Sequence, residues 1–533
     1  MLTLLYGMDY GTTLQSIVFI VLIYLIFRRR RSTFHNIPGP PSPSWTFGHM
    51  LQLFLPAEYG AHEFNWQKLY GPVYRLKGCF GQDRLMVSDP LALQHVLNSN
   101  HFEHGPSIDN AVSLLFEEKC VMAAKGEIHR RLRAAMHIGF TASAVRECLP
   151  LFERVAQAAT ERFKELPRLP TDIVPVLSEA TLNTISQVTL GSSTQELGQD
   201  FVLNNTQILQ VAFISALASS HSAVQILAEA VAVRLPKWVW RAAMHLPTTT
   251  FNIIRTAKCF ARELGERTIR EKTEAGRQGQ IDVFDMLLDL GRWEKKRKNA
   301  LTKEEVAAQT GMLFIAGQDN TATLLAFGLL ELARHPQFQK ELRAEIHHFL
   351  GHRSQGLVYD NMPLLNAFIK ETLRVYPAGA LQERMAIQDT VIPLAGAIKT
   401  STGELITQIM VRKGQVVSMA IASYHRLETL WGEDAHEFRP SRWLDGTAYQ
   451  GQALGPYANL LSFLGGPRVC LGWRFAILEI QVFFFELVSK LAFALPKDDS
   501  ASVHVRFANT LIPVLQNGEK GALLCVRALE YSD

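Results

Sequence analysis

From Thr302 to His335 the chain runs without a proline, and Pro336 ends the run. Thr302 and Glu305 open it as an S/T-x-x-E capping box. At about 1.5 Å per residue, roughly 30 residues predict a helix about 45–50 Å long, enough to cross a whole domain. A domain built around such a rod is helix-rich. Its middle reads "FIAGQDNTAT", where Gly317, Asp319, Asn320 and Thr321 interrupt apolar surroundings. An acid among Phe314, Ile315 and Leu324 is expensive to bury unless it has a partner or a task.

The rest of the chain fits one large domain over residues 60–533. Its pattern is mostly helical, with strand-like pieces such as "GPVYRL" and "RLMVSD" near the start, and it carries no internal repeat. With 533 residues and 47% hydrophobic side chains, the chain can bury a large core. A net charge of +4 argues against a dedicated nucleic-acid binder. The six cysteines lie far apart with no C-x-x-C pair, which fits a reducing compartment. Walker A, H-E-x-x-H and G-x-S-x-G motifs are absent.

The N-terminus differs in kind. Between Tyr10 and Phe27 there is no charged residue, and Arg28, Arg29, Arg30 and Arg31 follow at once. Such a run is just long enough to span a bilayer, and the arginines favour the cytosolic side. A cleaved signal peptide would place its charges before the apolar run, not after it. Residues 1–31 therefore read as a membrane anchor with a basic stop. Residues 32–59, with the proline-rich "IPGPPSPS", read as a hinge and lead-in.

A second short stretch, "FLGGPRVCLG" at residues 463–472, sets one cysteine on a glycine-rich loop ahead of a long apolar helix. Cys470 is open to three readings. A core cysteine would need neither the glycines nor Arg468, and a nucleophile would need a base brought in by the fold. A thiolate metal ligand suits the helix N-terminus, which favours negative charge on sulfur. Gly466 and Gly472 would then let backbone approach a flat cofactor closely, and Arg468 could pair with an anionic group on it.

Phe463, Gly466, Arg468, Cys470 and Gly472 match F-x-x-G-x-R-x-C-x-G, and in this the chain resembles the cytochrome P-450 family of haem-thiolate monooxygenases. The resemblance runs from about residue 36 to 530. Glu371 and Arg374 resemble its E-x-x-R pair, and "FRPSRW" resembles its F-x-P-x-R-F segment, so Arg442 would complete a buried triad. The resemblance implies a mainly α fold with small β-sheets, preceded by one transmembrane helix. It implies haem b with Cys470 as axial thiolate, pushing electron density toward the iron to favour O–O cleavage. Propionate contacts would fall on Arg133, Arg384 and Arg468. His129 stands where tryptophan is frequent, and Phe463 and Gly472 complete the cofactor set. The microsomal type would sit in the endoplasmic reticulum membrane as a single-pass protein with a cytosolic catalytic domain. Electrons would come from NADPH through cytochrome P-450 reductase, with cytochrome b5 as a second donor.

One position departs from the family. Its long helix usually reads A/G-G-x-D/E-T-T, with the catalytic alcohol directly after the acid, whereas here Asn320 follows Asp319. Thr321 is one residue further and rotated by about 100°. Asp319, Asn320 and Thr321 are the catalytic candidates, with Asn320 holding a water that relays protons from Asp319. The expected reaction is insertion of one oxygen atom of O₂ into a lipophilic small molecule, in a fungal secondary-metabolism setting such as terpenoid oxidation. The alternative keeps the fold but makes the protein an isomerase, dehydratase or peroxide-rearranging enzyme needing no external electrons. A non-catalytic haem-binding scaffold is a third reading. The pocket lining would come from residues 106–122, Phe314–Thr321, Ala378–Leu381 and Asn509–Leu511, and "LPKWVWRAAMHLP" is a candidate for dipping into the membrane.

Overall fold

Strands in this chain are short and come together from distant parts of the sequence. They are Val73–Lys77 (β1), Asp83–Val87 (β2), Phe102–His104 (β3), Thr171–Asp172 (β4), Leu381–Ala386 (β5), Thr390–Lys399 (β6), Leu405–Val411 (β7), Val416–Ala420 (β8), Leu491–Ala494 (β9), His504–Ala508 (β10), Thr510–Val514 (β11) and Leu523–Ala528 (β12). The structure is a computed structural model. It describes residues 32–529 apart from 167–169, 216–221, 236, 275–281, 294–300, 352–358, 450 and 498–501. The expected membrane anchor therefore lies outside the described residues. The "GPVYRL" and "RLMVSD" pieces form the β1–β2 hairpin, Val73 facing Val87. The largest sheet has the order β1-β2-β8-β5-β3, and its last pair sets His104 opposite Arg384.

The helices that build the site are, in chain order, Pro90–Asn98 (α1), Pro106–Leu115 (α2), Gly126–Met136 (α3), Val174–Leu190 (α4), Gln199–Ser215 (α5), Ala223–Ala232 (α6), Lys237–Ala243 (α7), Thr249–Glu274 (α8), Lys303–Ala307 (α9), Thr310–Arg334 (α10), Pro363–Val375 (α11) and Trp473–Lys490 (α12). The expected capping box is present on α9, Thr302 accepting from the Glu305 N–H and Glu305 reaching back. The rod is not continuous, however. It breaks between α9 and α10 at Ala308 and Gln309, without proline or glycine. The fully buried Gln309 side chain accepts from the Val121 N–H at 2.9 Å and donates to the Lys119 carbonyl at 2.9 Å. Its Nε2 also donates to the Glu305 carbonyl at 2.7 Å, the acceptor an α-helical Gln309 N–H would use, and that N–H goes to the Val306 carbonyl instead, so the side chain competes with the helix ladder at that turn.

The remaining α10 is the axis of the main core. A Cβ on Gly317 would come within 2.5 Å of Ile185 on α4, and one on Gly328 within 2.3 Å of Phe484 on α12. Glycine at these two positions lets α10 lie close between both helices. The same Lys303–Arg334 region is the one stretch among the described residues apolar and long enough to cross a membrane, and it is mostly buried as a core element.

Glu371 and Arg374 on α11 join Arg442 as a fully buried triad. Arg374 grips Glu371 at 2.8 and 2.9 Å, and Arg442 Nε reaches it at 3.0 Å. The Trp443 Nε1–H and the Arg439 N–H also donate to this carboxylate. Burial pushes the Glu371 pKa up, but Arg374 and then Arg442 outweigh it and hold the group below its usual value. Arg374 also donates to the carbonyls of His425, Ala435 and Glu437, so one carboxylate fastens the helix to the irregular segment that leads to Cys470.

Candidate active site

The loop at Cys470 is shaped by the protein backbone around it. The Cys470 N–H donates to the Phe463 carbonyl at 2.8 Å, folding the segment back on itself. Gly466 has φ +64°, and a Cβ there would lie 2.3 Å from the Leu97 carbonyl oxygen at the end of α1. Glycine at 466 thus serves a left-handed turn and a close approach to the Leu97 backbone. At Gly472 the nearest atom to a Cβ is 3.7 Å away on Phe140. Gly472 contributes its N–H, which acts on the Cys470 sulfur.

Cys470 has an accessible side chain. Burial is nevertheless the largest influence on its thiol, raising its pKa against the pull of the Gly472 N–H and Arg133. Both hold if the sulfur opens onto an enclosed void rather than bulk water. A thiolate in such a place needs positive charge beside it, which a bound metal ion would supply together with Arg133 and the Gly472 N–H. On α10 the residues are buried or half-buried except Ala316, Asn320 and the terminal Arg334. Ala316 and Asn320 are four apart and share a helix face. Exposure in the middle of a core helix means that this face, too, borders internal space.

The three catalytic candidates point different ways. Asn320 lies on the open face. Asp319 is buried, one of its oxygens accepts from the Lys520 ammonium, and the other has no partner. Thr321 does not share the Asn320 face: it is buried, and its hydroxyl acts on Glu479 of α12. Glu479 is itself fully buried, with the Thr184 and Thr321 hydroxyls beside its carboxylate and no cation among the described residues to balance it. Burial lifts its pKa to about 8, while Thr184 and Thr321 draw it down only partly.

Positive charge gathers on the other side of Cys470. Arg468 donates to the Ala124 carbonyl at 2.8 Å, Arg384 donates one arm to the Glu383 carbonyl at 2.9 Å, and Arg133 is close enough to Cys470 to influence it. The second arm of Arg384, Nη2, is buried without a partner. Burial, then repulsion from Arg468, lowers the Arg384 pKa to about 10. His129 is held to about 4 by burial, then by Arg468 and Arg133, so it is neutral at pH 7. His104 joins the same group and was not anticipated. Both its ring nitrogens are buried and unpartnered, and burial, Arg384 and Arg468 lower it to about 3. A lone histidine pairing across strands 280 positions apart (384 minus 104) leaves no signal in the sequence.

Two of the expected pocket segments do meet. The Leu511 N–H donates to the Ala378 carbonyl at 3.2 Å, and β11 packs against α10. Asn509, with φ +64°, makes the turn before β11. An accessible cysteine on a glycine-rich loop, an exposed amide in the middle of a core helix and a buried, unpartnered guanidinium arm are the donor set haem would need: thiolate for the iron, cations for its propionates.

The fold and these residues define a haem-thiolate protein, its cofactor held by an axial cysteine. The model of the family described as "Cytochrome P450" matches residues 38–513, and the chain belongs to that family. Cytochrome P-450 monooxygenase 219 of Postia placenta is 31% identical over 528 residues, covering 93% of this chain and 94% of the relative. Cytochrome P-450 monooxygenase claU of Ampulloclitocybe clavipes is 28% identical over 545 residues, covering 98% of each. The retinoic acid-bound cyanobacterial CYP120A1 shares the fold with a TM-score of 0.69 at 20% identity, covering 92% of this chain and all of that one. The chain is thus similar along nearly its whole length to named fungal monooxygenases.

Proposed function

We propose that this chain is a membrane-anchored monooxygenase that inserts one atom of O₂ into a lipophilic small molecule of fungal secondary metabolism. Electrons come from NADPH through cytochrome P-450 reductase, with cytochrome b5 as a second donor. The balance is substrate, O₂, NADPH and a proton in; hydroxylated product, water and NADP⁺ out. The observation that carries this reading is the accessible Cys470 on its glycine-rich loop together with the exposed Ala316–Asn320 face in the middle of a core helix. Haem held by Cys470 supplies activation of O₂ when bound.

This chain's own residues do the rest. Arg133, Arg384 and Arg468 would hold the propionates, and neutral His129 would donate a hydrogen bond beside them. Phe463 and Gly472 fix the cysteine, one by its carbonyl and the other by its N–H. Asn320 holds a water by donating and accepting, and Asp319 passes it protons that arrive past the half-buried Lys520. Thr321 buttresses Glu479 and takes no part in the relay. The domain division stands as an anchor at 1–31, a lead-in at 32–59 and a catalytic domain at 60–533. The anchor sets the protein in the endoplasmic reticulum membrane, catalytic domain in the cytosol. Trp238, 69% exposed on α7, supports a membrane-dipping role for "LPKWVWRAAMHLP" over core packing.

Purified protein with reductase, NADPH, heavy-isotope O₂ and candidate terpenoid or fatty substrates tests the reading. Product carrying one labelled oxygen, formed only with NADPH and reductase, is expected. Asn320 in place of an alcohol on the open face favours one second reading, rearrangement or dehydration without external electrons. Turnover in the absence of reductase would decide for it.

A further inference from the structure

The last carbonyls of a helix have no partner within it, and at the end of α11 three of them are taken by side chains from elsewhere. The Ser462 hydroxyl donates to the Leu373 carbonyl at 2.7 Å, the His425 ring bonds the Arg374 carbonyl at 3.1 Å, and the Arg426 guanidinium donates to the Val375 carbonyl at 2.7 Å. His425 reaches further than this end of the helix. Its other ring nitrogen, Nε2, accepts from the Leu461 N–H at 2.9 Å. A backbone N–H can only donate, so Nε2 carries no proton and Nδ1 carries the one given to Arg374. The ring is therefore neutral and held in one tautomer. It is fully buried, and burial, then the Arg374 guanidinium, keeps its pKa well below 6.5.

What the ring holds is the approach to the cysteine loop. Leu461 stands between left-handed residues, with φ of 52° at Ala458 and 59° at Asn459 before it and 57° at Leu464 after it. Residues other than glycine stay in that region only where their surroundings impose it. The Tyr424 hydroxyl, from the residue before His425, donates to the Asn459 carbonyl at 3.3 Å, and the Leu461 carbonyl accepts from the Leu464 N–H at 2.8 Å. Two residues beyond Leu461, the Phe463 carbonyl takes the Cys470 N–H. A line of hydrogen bonds and peptide links thus runs from Glu371 through Arg374, His425 and Leu461 to Cys470.

We propose that His425 is a positioning residue for the Cys470 ligand, its ring passing the fixed position of the buried triad to the loop and its Nε2 acceptor setting the depth at which the sulfur stands. The proposal rests on the reading of Cys470 as the iron ligand. Outer partners ordinarily orient a metal ligand by bonding the ligand itself. Here the partner acts nine residues away, on the backbone from which the ligand loop springs.

Two substitutions separate the two ends of the ring. His425→Gln offers an acceptor oxygen near the Nε2 position and gives up the Nδ1 donor, whereas His425→Asn offers a donor near Nδ1 and gives up the acceptor. Each drops one hydrogen bond, so a role in stability alone predicts equal spectra. The readout is the reduced, CO-bound spectrum of the purified holoprotein, taken as the share of bound haem that shows the red-shifted thiolate band. His425→Gln is expected to keep at least about nine-tenths of the wild-type share and His425→Asn to lose at least about half of it. Equal shares, or the larger loss in the glutamine variant, overturn the proposal. A wild-type spectrum without the band overturns the thiolate reading and the proposal together. A second measurement needs no variant and decides if the variants hold no haem: in the wild-type holoprotein the Leu461 amide should exchange its hydrogen at least about a hundredfold more slowly than in a free peptide. Exchange at the free-peptide rate overturns the proposal alone.

Discussion

Lys520, in the turn before β12, neutralises Asp319, 201 positions away in the centre of α10. The Asp319 carboxylate keeps its other oxygen buried and unpartnered, next to Asn320 on the open face of the helix. The acid of the proposed relay is thus neither free nor fully satisfied. It is tied to a side chain that reaches toward solvent.

Lys520→Met removes that cation and leaves a buried carboxylate uncompensated. Thermal or denaturant unfolding is expected to show a loss of roughly 1.5–3 kcal/mol. With haem content unchanged, product formation falls about tenfold, the share of reducing equivalents lost as peroxide rises, and the solvent isotope effect grows. Unaltered coupling and isotope effect would show that Lys520 has no part in proton delivery.

Asn320→Ala keeps the haem but loses the water-holding amide. Product per NADPH is expected to fall about tenfold with a matching rise in peroxide, and Asn320→Thr to recover most of it. The readout is the ratio of product to NADPH consumed. An alanine variant as tightly coupled as wild type would remove Asn320 from the mechanism.

Glu371→Gln leaves Arg374 and Arg442 buried without their anion, and the expected loss of stability is about 3–5 kcal/mol. The pH dependence has a definite sign. Because the folded-state pKa of Glu371 lies below 4.5, its contribution is present above that pH and is lost as acid protonates it. Wild type is therefore expected to lose stability below about pH 4.5, and the variant to lose less over the same range. Equal acid sensitivity would contradict this.

Glu479 has the opposite sign. Its pKa rises from 4.5 to about 8 on folding, so between those values the folded protein holds the extra proton and stability falls as pH rises. Glu479→Gln should flatten the stability curve in that window and exceed wild type above about pH 8. Unfolding midpoints from pH 5 to 9 would show it.

The parts legible in the sequence were those whose chemistry is local. The cysteine loop, the E-x-x-R pair and the capping box each lie within ten residues, and each stands where expected. Arg442 was reachable only through resemblance, since no local spacing links it to Glu371. What stayed hidden depends on tertiary contacts. At Gln309 the side chain bonds both the loop near residue 120 and the Glu305 carbonyl, an arrangement that no local pattern announces. His104 joins the cation cluster because β3 pairs with β5, and Lys520 finds Asp319 from 201 positions away. At Gly465 and Gly466 the close approach to the Leu454 and Leu97 carbonyls leaves no local signal, because both carbonyls come from elsewhere in the fold.

The central claim is that Cys470 holds haem iron as a thiolate, and the spectrum of the reduced, CO-bound protein tests it most directly. Wild type should show the strongly red-shifted Soret band of thiolate ligation, and Cys470→Ser should lose that band whether or not it retains haem. A wild-type spectrum without the red shift, or a serine variant that keeps it, would contradict the account.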